Sequence, residues 1–279
     1  MGGATERESV MRTICFYSDY GYRDDFAGVC RAVMKRLAPN VEIIDVTHGI
    51  GPHDVLGGAY VLRNSLSYMP EAAVLLAVVD PGVGGSRRAV ALRSAGDRLF
   101  VGPDNGLLVP AAEADGGVAQ AVELTNEQLW LKPVSATFHG RDIFAPVAAR
   151  LATGLPIERA GRPVEPAGLV RLDLPEAHAV PGGLEAFAVL IDRFGNVALN
   201  LSRELLQQAD LGGRIEVVCG GDPFLAEVGD AFSTVRLTDI VVLVDSYGQV
   251  ALCVNEGSAE DVLSLRVGDR VLLRRHEGD

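Results

Sequence analysis

Hydrophobic positions recur with two periods along this chain, and each period predicts a kind of element. Thr13-Ile14-Cys15-Phe16-Tyr17 reads as a first strand, ending at Ser18-Asp19-Tyr20-Gly21. Phe26, Val29, Cys30, Val33, Met34 and Leu37 then recur in steps of three and one, as on one face of an amphipathic helix. Asp24 is its expected N-cap, and Pro39 closes it. Residues 41–46 read as a second strand. His53-Asp54 opens a second helix that runs through Leu56, Tyr60 and Leu66 and stops before Pro70. The run 73–79 holds no polar residue, the pattern of a strand buried on both faces. Strand, helix, strand, helix, strand with short connections predicts a largely parallel sheet with right-handed crossovers. Further strands are expected near 89–92, 99–101 and 119–124, and a helix over 145–151 that ends at Gly154.

The texture changes over 155–183. Pro156, Pro163, Pro166, Pro175 and Pro181 punctuate a stretch with little periodicity, which reads as an interdomain connection. Beyond it, short apolar runs at 186–191, 215–219, 240–244, 250–254 and 271–273 alternate with glycine-containing turns. Val244-Asp245-Ser246-Tyr247-Gly248-Gln249-Val250 reads as a hairpin. This half is expected to be a small antiparallel barrel or sandwich. The expected organisation is therefore an α/β domain over 12–154, the connection over 155–183, and an antiparallel β domain over 184–277. No internal repeat or low-complexity tract stands out.

Composition narrows the function more than the fold. With 279 residues, 48% hydrophobic and 22% charged, the chain builds one large core or two modest ones. Its net charge of −12 makes it a poor general binder of nucleic acid or anionic membrane, because phosphate neutralisation needs clustered Lys and Arg. No apolar run approaches the roughly 20 residues of a membrane span. Residues 1–12 are polar with no apolar core, so they read as a tail rather than a signal peptide. Cys15, Cys30, Cys219 and Cys253 form no CxxC pair, and three of them sit at apolar positions. Buried, reduced thiols in a cytoplasmic protein are expected.

The densest chemistry follows the third strand, in Asp80-Pro81-Gly82-Val83-Gly84-Gly85-Ser86-Arg87. Ligands of open α/β sheets sit at the carboxyl ends of strands, where Asp80 stands, and Arg87 is near enough along the loop to fold back to it. The competing reading is a tight turn with a structural Asp–Arg pair. Asp19 ends the first strand as Asp80 ends the third, either accepting ribose hydroxyls or merely capping the turn. Ser135-Ala136-Thr137-Phe138-His139-Gly140-Arg141-Asp142 places a histidine beside glycine, ahead of a helix. Asp192-Arg193-Phe194-Gly195-Asn196 reads either as an ordinary sheet turn or as a stacking aromatic flanked by polar groups. No GxGxxG follows the first strand, and no GxxxxGK[ST], HExxH or GxSxG occurs. His48 and His53 are five apart, the wrong spacing for one helical face, so no metal site is expected.

Six motifs in order resemble one family. They are Ser18-Asp19-Tyr20-Gly21 with Asp24-Asp25; Asp45-Val46-Thr47-His48; Asp80-Pro81-Gly82-Val83-Gly84 with Arg87; Gly102-Pro103-Asp104-Asn105-Gly106; Phe138-His139-Gly140-Arg141-Asp142; and Asp192-Arg193-Phe194-Gly195-Asn196. Together they are similar to the S-adenosylmethionine hydrolase (SAM hydroxide adenosyltransferase) family, relatives of the fluorinase and chlorinase. The resemblance implies an N-terminal α/β domain, a C-terminal β-barrel and a homotrimer. It implies attack of water on the ribose 5′ carbon of S-adenosylmethionine, giving adenosine and methionine, with no cofactor. It maps a water-binding triad onto Asp80, Arg87 and His139, and a ribose-binding carboxylate onto Asp19. Asp24, His53 and Phe138 fall beside these, His53 at the position of a fluorinase tryptophan that packs on the ribose. Asp192 and Ser246 match groups at the methionine end, and Phe194 and Asn196 match the adenine pocket, with Asn255 and Glu256 nearby. In the halogenases the position of Asp80 is a tyrosine and that of Gly140 a serine; this chain has neither, so it sides with the hydrolases. The alternatives are a 5′-halogenase and a non-catalytic adenosine or S-adenosylmethionine binder.

Overall fold

The computed structural model describes residues 11–173 and 176–276. Nearly all of the polar tail expected over 1–12, and Pro175 of the expected connection, lie outside the described residues. The chain divides into two compact units, Met1–Leu172 and Asp173–Asp279.

The first unit is built on one sheet. Its strands are β1 (Ile14–Ser18), β2 (Ile43–Thr47), β3 (Val74–Val78), β4 (Ala89–Ser94), β5 (Leu99–Pro103), β6 (Val118–Glu123) and β7 (Arg162–Val164), in the order β2-β1-β3-β5-β4-β6-β7. The run β2, β1, β3, β5 is parallel throughout, and β4, β6 and β7 extend it with antiparallel pairings. Among the described residues four α-helices accompany it: α1 (Phe26–Leu37), α2 (Val55–Ser65), α3 (Val109–Ala114) and α4 (Ala145–Ala152).

The alternation along β1 and β3 explains why 73–79 has no polar position. Ile14, Phe16, Val74, Leu76 and Val78 pack with Cys30 and Met34 of α1 and Val147 of α4. Cys15, Tyr17, Leu75 and Ala77 point the other way, against Leu62 of α2 and Ala111 of α3. Both faces are covered, and each fully buried Leu or Val contributes roughly 1.5–3 kcal/mol relative to exposure. The ends of α1 differ from expectation. Asp25 rather than Asp24 occupies the N-cap, and its side chain makes no capping hydrogen bond. At the other end Lys35 Nζ donates to Pro39 O and Val41 O, both at 2.8 Å, and covers carbonyls just beyond the helix. Asp54 does cap α2, accepting from Gly57 N at 2.8 Å.

The second unit contains β8 (His178–Val180), β9 (Gly183–Ile191), β10 (Val197–Ser202), α5 (Arg203–Ala209), β11 (Arg214–Cys219), β12 (Asp222–Val228), β13 (Ile240–Val244), β14 (Gln249–Val254), α6 (Ala259–Leu263) and β15 (Arg270–Arg275). Among the described residues seven strands close as β9-β10-β14-β13-β12-β11-β15, and β8 adds to β9 outside the closure. Six seams are antiparallel, and β12–β13 is parallel. Parity requires this: strand direction must return to itself around the barrel, so an odd number of strands cannot close with antiparallel seams alone. The expected antiparallel barrel is therefore a mixed one with a single parallel seam. Leu184, Ala186, Val217, Val242, Leu252 and Leu273 fill its interior. The outward side chains of β13 and β14 are also apolar, with Val241, Leu243, Ala251 and Cys253 forming a separate cluster with Val235.

The stretch 155–183 holds elements of both units, β7 at the edge of the first sheet and β8 against β9. Each is only three residues long, and β7 contains Pro163, so neither produces a readable alternation. All four cysteines are buried and free. Burial pushes the thiols of Cys30 and Cys253 up to about 12.

Candidate active site

Asp80 follows β3, and its position is fixed from two sides. Asn105 Nδ2 donates to Val79 O at 2.8 Å, tying the end of β3 to the Gly102-Pro103-Asp104-Asn105-Gly106 loop. The loop after Asp80 turns through Val83 N to Asp80 O and Gly85 N to Gly82 O. Gly84 sits at φ +75°, and a Cβ there would fall 2.2 Å from Ala136 O. Both the left-handed backbone and the close approach require glycine, and they seat this loop on the segment that carries His139. Arg88 Nε donates to Asp104 Oδ2 at 2.8 Å, while Asp104 N returns a bond to Arg88 O, so the far end of the loop is clamped as well.

Arg87 folds back on Asp80. Its Nε donates to Oδ1 at 2.9 Å and to Oδ2 at 3.1 Å, and its Nη2 donates to both Asp80 Oδ2 and His139 Nδ1, the latter at 2.8 Å. Arg87 Cζ lies 5.2 Å from the centroid of the Phe144 ring, which supports the guanidinium plane. The side chains of Arg87 and Asp80 are 11% and 6% exposed, so this ion pair is far less screened than a surface one. A guanidinium only donates, so His139 Nδ1 must be the acceptor and the ring proton sits on Nε2. Burial first, and the Arg87 charge second, lower the His139 pKa from 6.5, which keeps the imidazole neutral.

The segment that carries His139 is braced by Asp142, three residues further on. Asp142 is fully buried; its Oδ1 accepts from Arg141 Nε at 2.6 Å and its Oδ2 from Ser135 N at 2.8 Å. Burial would raise its pKa, but the bonds from Arg141 and Ser135 outweigh it and the pKa is lowered. Arg141 and Asp142 are thus supports for the turn, and the residues after Phe138 wind as a π-helical turn over Gly140–Phe144.

Asp19 stands at the end of β1, where Oδ2 accepts from His53 N at 3.0 Å. His53 therefore meets Asp19 through its backbone, at a φ of +66°, and its exposed ring makes no hydrogen bond to Asp19. The β1 turn is also pinned from within. Ser18 Oγ lies 2.7 Å from His48 Nδ1, His48 Nε2 lies 3.3 Å from Asp45 Oδ1, and Gly21 N donates to His48 O at 2.7 Å. Asp24 is exposed in the bend before α1 and lines a groove of about 370 Å³ with Tyr22, Arg31 and Asp45. Phe138 belongs to an aromatic group with Tyr20 and Phe26, at centroid distances of 5.8 and 5.1 Å.

In the second unit Asp192, Phe194, Asn196 and Ser246 line one cavity of about 540 Å³, floored by Leu243, Ala251 and Cys253. Asp192 Oδ1 accepts from Phe194 N and Asn196 N at 2.8 and 3.0 Å, and Oδ2 from Asn196 Nδ2 at 2.8 Å. The segment is thus a hydrogen-bonded turn whose residues also line a cavity. The β13–β14 hairpin repeats the device: Asp245 Oδ1 accepts from Tyr247 N and Gln249 N at 2.8 and 2.9 Å. Gly195 and Gly248 take φ values of +79° and +81° in the two turns. Asp-x-aromatic-Gly-amide therefore occurs twice, and both copies face this cavity. Asn255 and Glu256 are not among the residues lining it. Asn255 Nδ2 donates to Val235 O at 3.0 Å, and Glu256 occupies a left-handed position, φ +56°, after β14. A larger cavity of about 600 Å³, near Cys219, Phe224 and Arg274, contains none of the candidate residues.

Sequence reasoning assigned no role to Asn105, the Arg88–Asp104 clamp, the Ser18–His48–Asp45 chain or Tyr247. The recurrence of Asp-x-aromatic-Gly-amide, and an apolar β13 in a barrel whose outer face should be polar, were the available signals. Among the described residues no group of three or more His, Cys, Asp or Glu side chains is placed to hold a metal ion. No described helix is long and apolar enough to cross a membrane.

Comparison with known proteins is consistent over most of the chain. Residues 14–161 match the SAM hydroxide adenosyltransferase N-terminal domain and residues 188–272 the C-terminal domain. An (R)-S-adenosyl-L-methionine hydrolase from Salinispora tropica is 51% identical over 258 residues, covering 92% of this chain and 96% of that protein. A fluorinase from an Actinoplanes species is more distant, 29% identical with 91% and 95% covered. The crystal structure of an uncharacterized conserved protein from Thermotoga maritima superposes with a TM-score of 0.88 at 38% identity, covering 94% of this chain and all of that one. With both family domains in sequence order and the Asp80–Arg87–His139 contacts in place, this chain belongs to the SAM hydroxide adenosyltransferase family.

Proposed function

We propose that this protein hydrolyses S-adenosyl-L-methionine to adenosine and L-methionine. The observation that carries it is the hydrogen-bonded, partly buried Asp80–Arg87–His139 set in a member of this family. A sulfonium is already a good leaving group and needs neither an acid nor a metal to depart, so the protein's task is to supply the nucleophile. Water attacks the ribose 5′ carbon, the C5′–S bond breaks with its electron pair on sulfur, and one proton leaves the water. Arg87 stays protonated and stabilises developing hydroxide charge. His139, with Nδ1 occupied by Arg87, offers an Nε2–H and no free lone pair. Asp80, whose Oδ1 accepts a single bond from Arg87 and retains a lone pair, is the proton acceptor. Discharge of the sulfonium in a site of low polarity favours the transition state over the bound substrate.

Asp19 takes the ribose hydroxyls, with Asp24, His53 and Phe138 beside it. Phe194 and Asn196 receive the adenine, and Asp192 and Ser246 the methionine ammonium and carboxylate, with Asn255 and Glu256 in support. The protein works without added cofactor, as a homotrimer in the cytoplasm; family membership and four buried thiols support this. The deciding experiment is product analysis of pure protein with S-adenosylmethionine in heavy-oxygen water, with and without a chelator and chloride. Label in adenosine, indifferent to both additions, is expected. Chlorodeoxyadenosine, binding without turnover, or loss of activity with the chelator would each sink the proposal. Light scattering checks the trimer.

A further inference from the structure

Tyr20 lies in the motif that ends β1, between Asp19 and Gly21. Its ring is wedged among Phe16, Phe26 and Phe138, at centroid distances of 6.5, 5.8 and 5.8 Å. Its backbone N–H donates to Ser18 Oγ at 3.3 Å. The hydroxyl, by contrast, has no hydrogen-bond partner among the described residues. It points at Gly140, where an added Cβ would fall 2.0 Å from Tyr20 Oη and 3.1 Å from Cζ. Gly140 does not have the positive φ that would itself demand glycine. What excludes a side chain at residue 140 is the tyrosine.

Gly140 directly follows His139, so the free hydroxyl stands at the turn that presents the Arg87–His139 contact. The charges of Asp19, Asp80 and Arg87 all bear on its ionisation, and burial, the leading influence, holds the phenol un-ionised. Tyr20 therefore offers one donor and one acceptor to whatever lies beside the Asp80–Arg87–His139 set. We propose that Tyr20 is a water-holding residue beside the Asp80–Arg87–His139 set. Its hydroxyl holds the attacking water, and it fills the space that makes residue 140 a glycine. This rests on S-adenosylmethionine hydrolysis as the function.

Two measurements on full-length protein test it, after wild-type turnover has been recorded. Tyr20→Phe removes one oxygen and leaves the ring, so kcat should fall about 3- to 10-fold, the scale of one hydrogen bond, with KM and Tm unchanged. A purely structural tyrosine would lower Tm and leave kcat alone; that pattern, or unchanged kcat, overturns the water-holding role. Thermal unfolding of Gly140→Ala, Tyr20→Leu and the double variant reads the spatial pairing. The double variant should lose less than the sum of the single losses, because leucine vacates the space the new methyl needs. Additive losses, or Gly140→Ala melting at the wild-type temperature, overturn the pairing. Should the wild type form no adenosine, the hydrolase function fails, while the unfolding cycle still decides the Tyr20–Gly140 contact.

Discussion

The two units carry their candidate residues in opposite ways. In the first, the side chains of Asp80 and Arg87 are nearly buried and Arg87 joins Asp80 to His139, with a second set of bonds from Asn105, Asp104 and Asp142 behind them. In the second, Phe194 and Tyr247 are 66% and 50% exposed, and the carboxylates of Asp192 and Asp245 are engaged inside their own turns. The first arrangement suits charge development, because electrostatic interactions strengthen when water is excluded and need no reorganisation. The second suits recognition by shape, with aromatic faces presented on rigid turns above an apolar floor. Replacing a residue in the first unit should therefore alter rate, and in the second affinity.

The strongest break of that contrast is Asp80→Asn. It removes the charge aimed at the attacking water, so turnover should drop roughly 100-fold or more while KM moves little. A near-wild-type kcat would return Asp80 to a structural turn residue. Asp19→Ala tests the one residue of the first unit assigned to binding. KM is expected to rise on the order of 10- to 100-fold, the scale of hydrogen bonds to a charged group, with a smaller change at saturation. If kcat suffers more than KM, Asp19 is not a ribose anchor.

Acidity offers a third test. His139 titrates below 6.5, so at and above that pH it is neutral and accepts from Arg87. As the pH falls through its lowered pKa, Nδ1 gains a proton and the contact with Arg87 becomes repulsive, so kcat should fall about tenfold per pH unit once His139 is mostly protonated. Stability moves in the same sense: the unfolded histidine takes its proton first, so folding loses stability as pH drops below 6.5. His139→Gln, which keeps an acceptor, should flatten this limb; a profile unchanged by the substitution assigns it to another group.

Smaller effects are expected in the barrel. Phe194→Ala should weaken adenosine binding by about tenfold, the scale of one aromatic stacking partner, and leave kcat within a factor of two. Equal affinity of wild type and variant by calorimetry would remove the stacking role. Asp245→Ala deletes two turn hydrogen bonds and should cost about 1–3 kcal/mol of stability. A Tm unmoved by it would show that Gly248 and the flanking strands hold the hairpin without the carboxylate.

By itself the sequence determined the elements whose periodicity is local. The β1–α1–β2–α2–β3 order, the doubly covered β3 and the β13–β14 hairpin follow from alternation, helical spacing and turn residues that act within a few positions of one another. The motif order also pointed to the family and to most of the candidate site residues. Tertiary structure decided what depends on contacts between distant segments. It used His53 through its backbone, turned Arg141 and Asp142 into supports, and left Asn255 holding Val235. It closed seven strands with one parallel seam, which no single strand encodes, because parity belongs to the whole ring. It also gave Gly140 its reason. A glycine with ordinary backbone angles carries no local signal, and only Tyr20, 120 positions earlier in the chain, explains why nothing larger stands there.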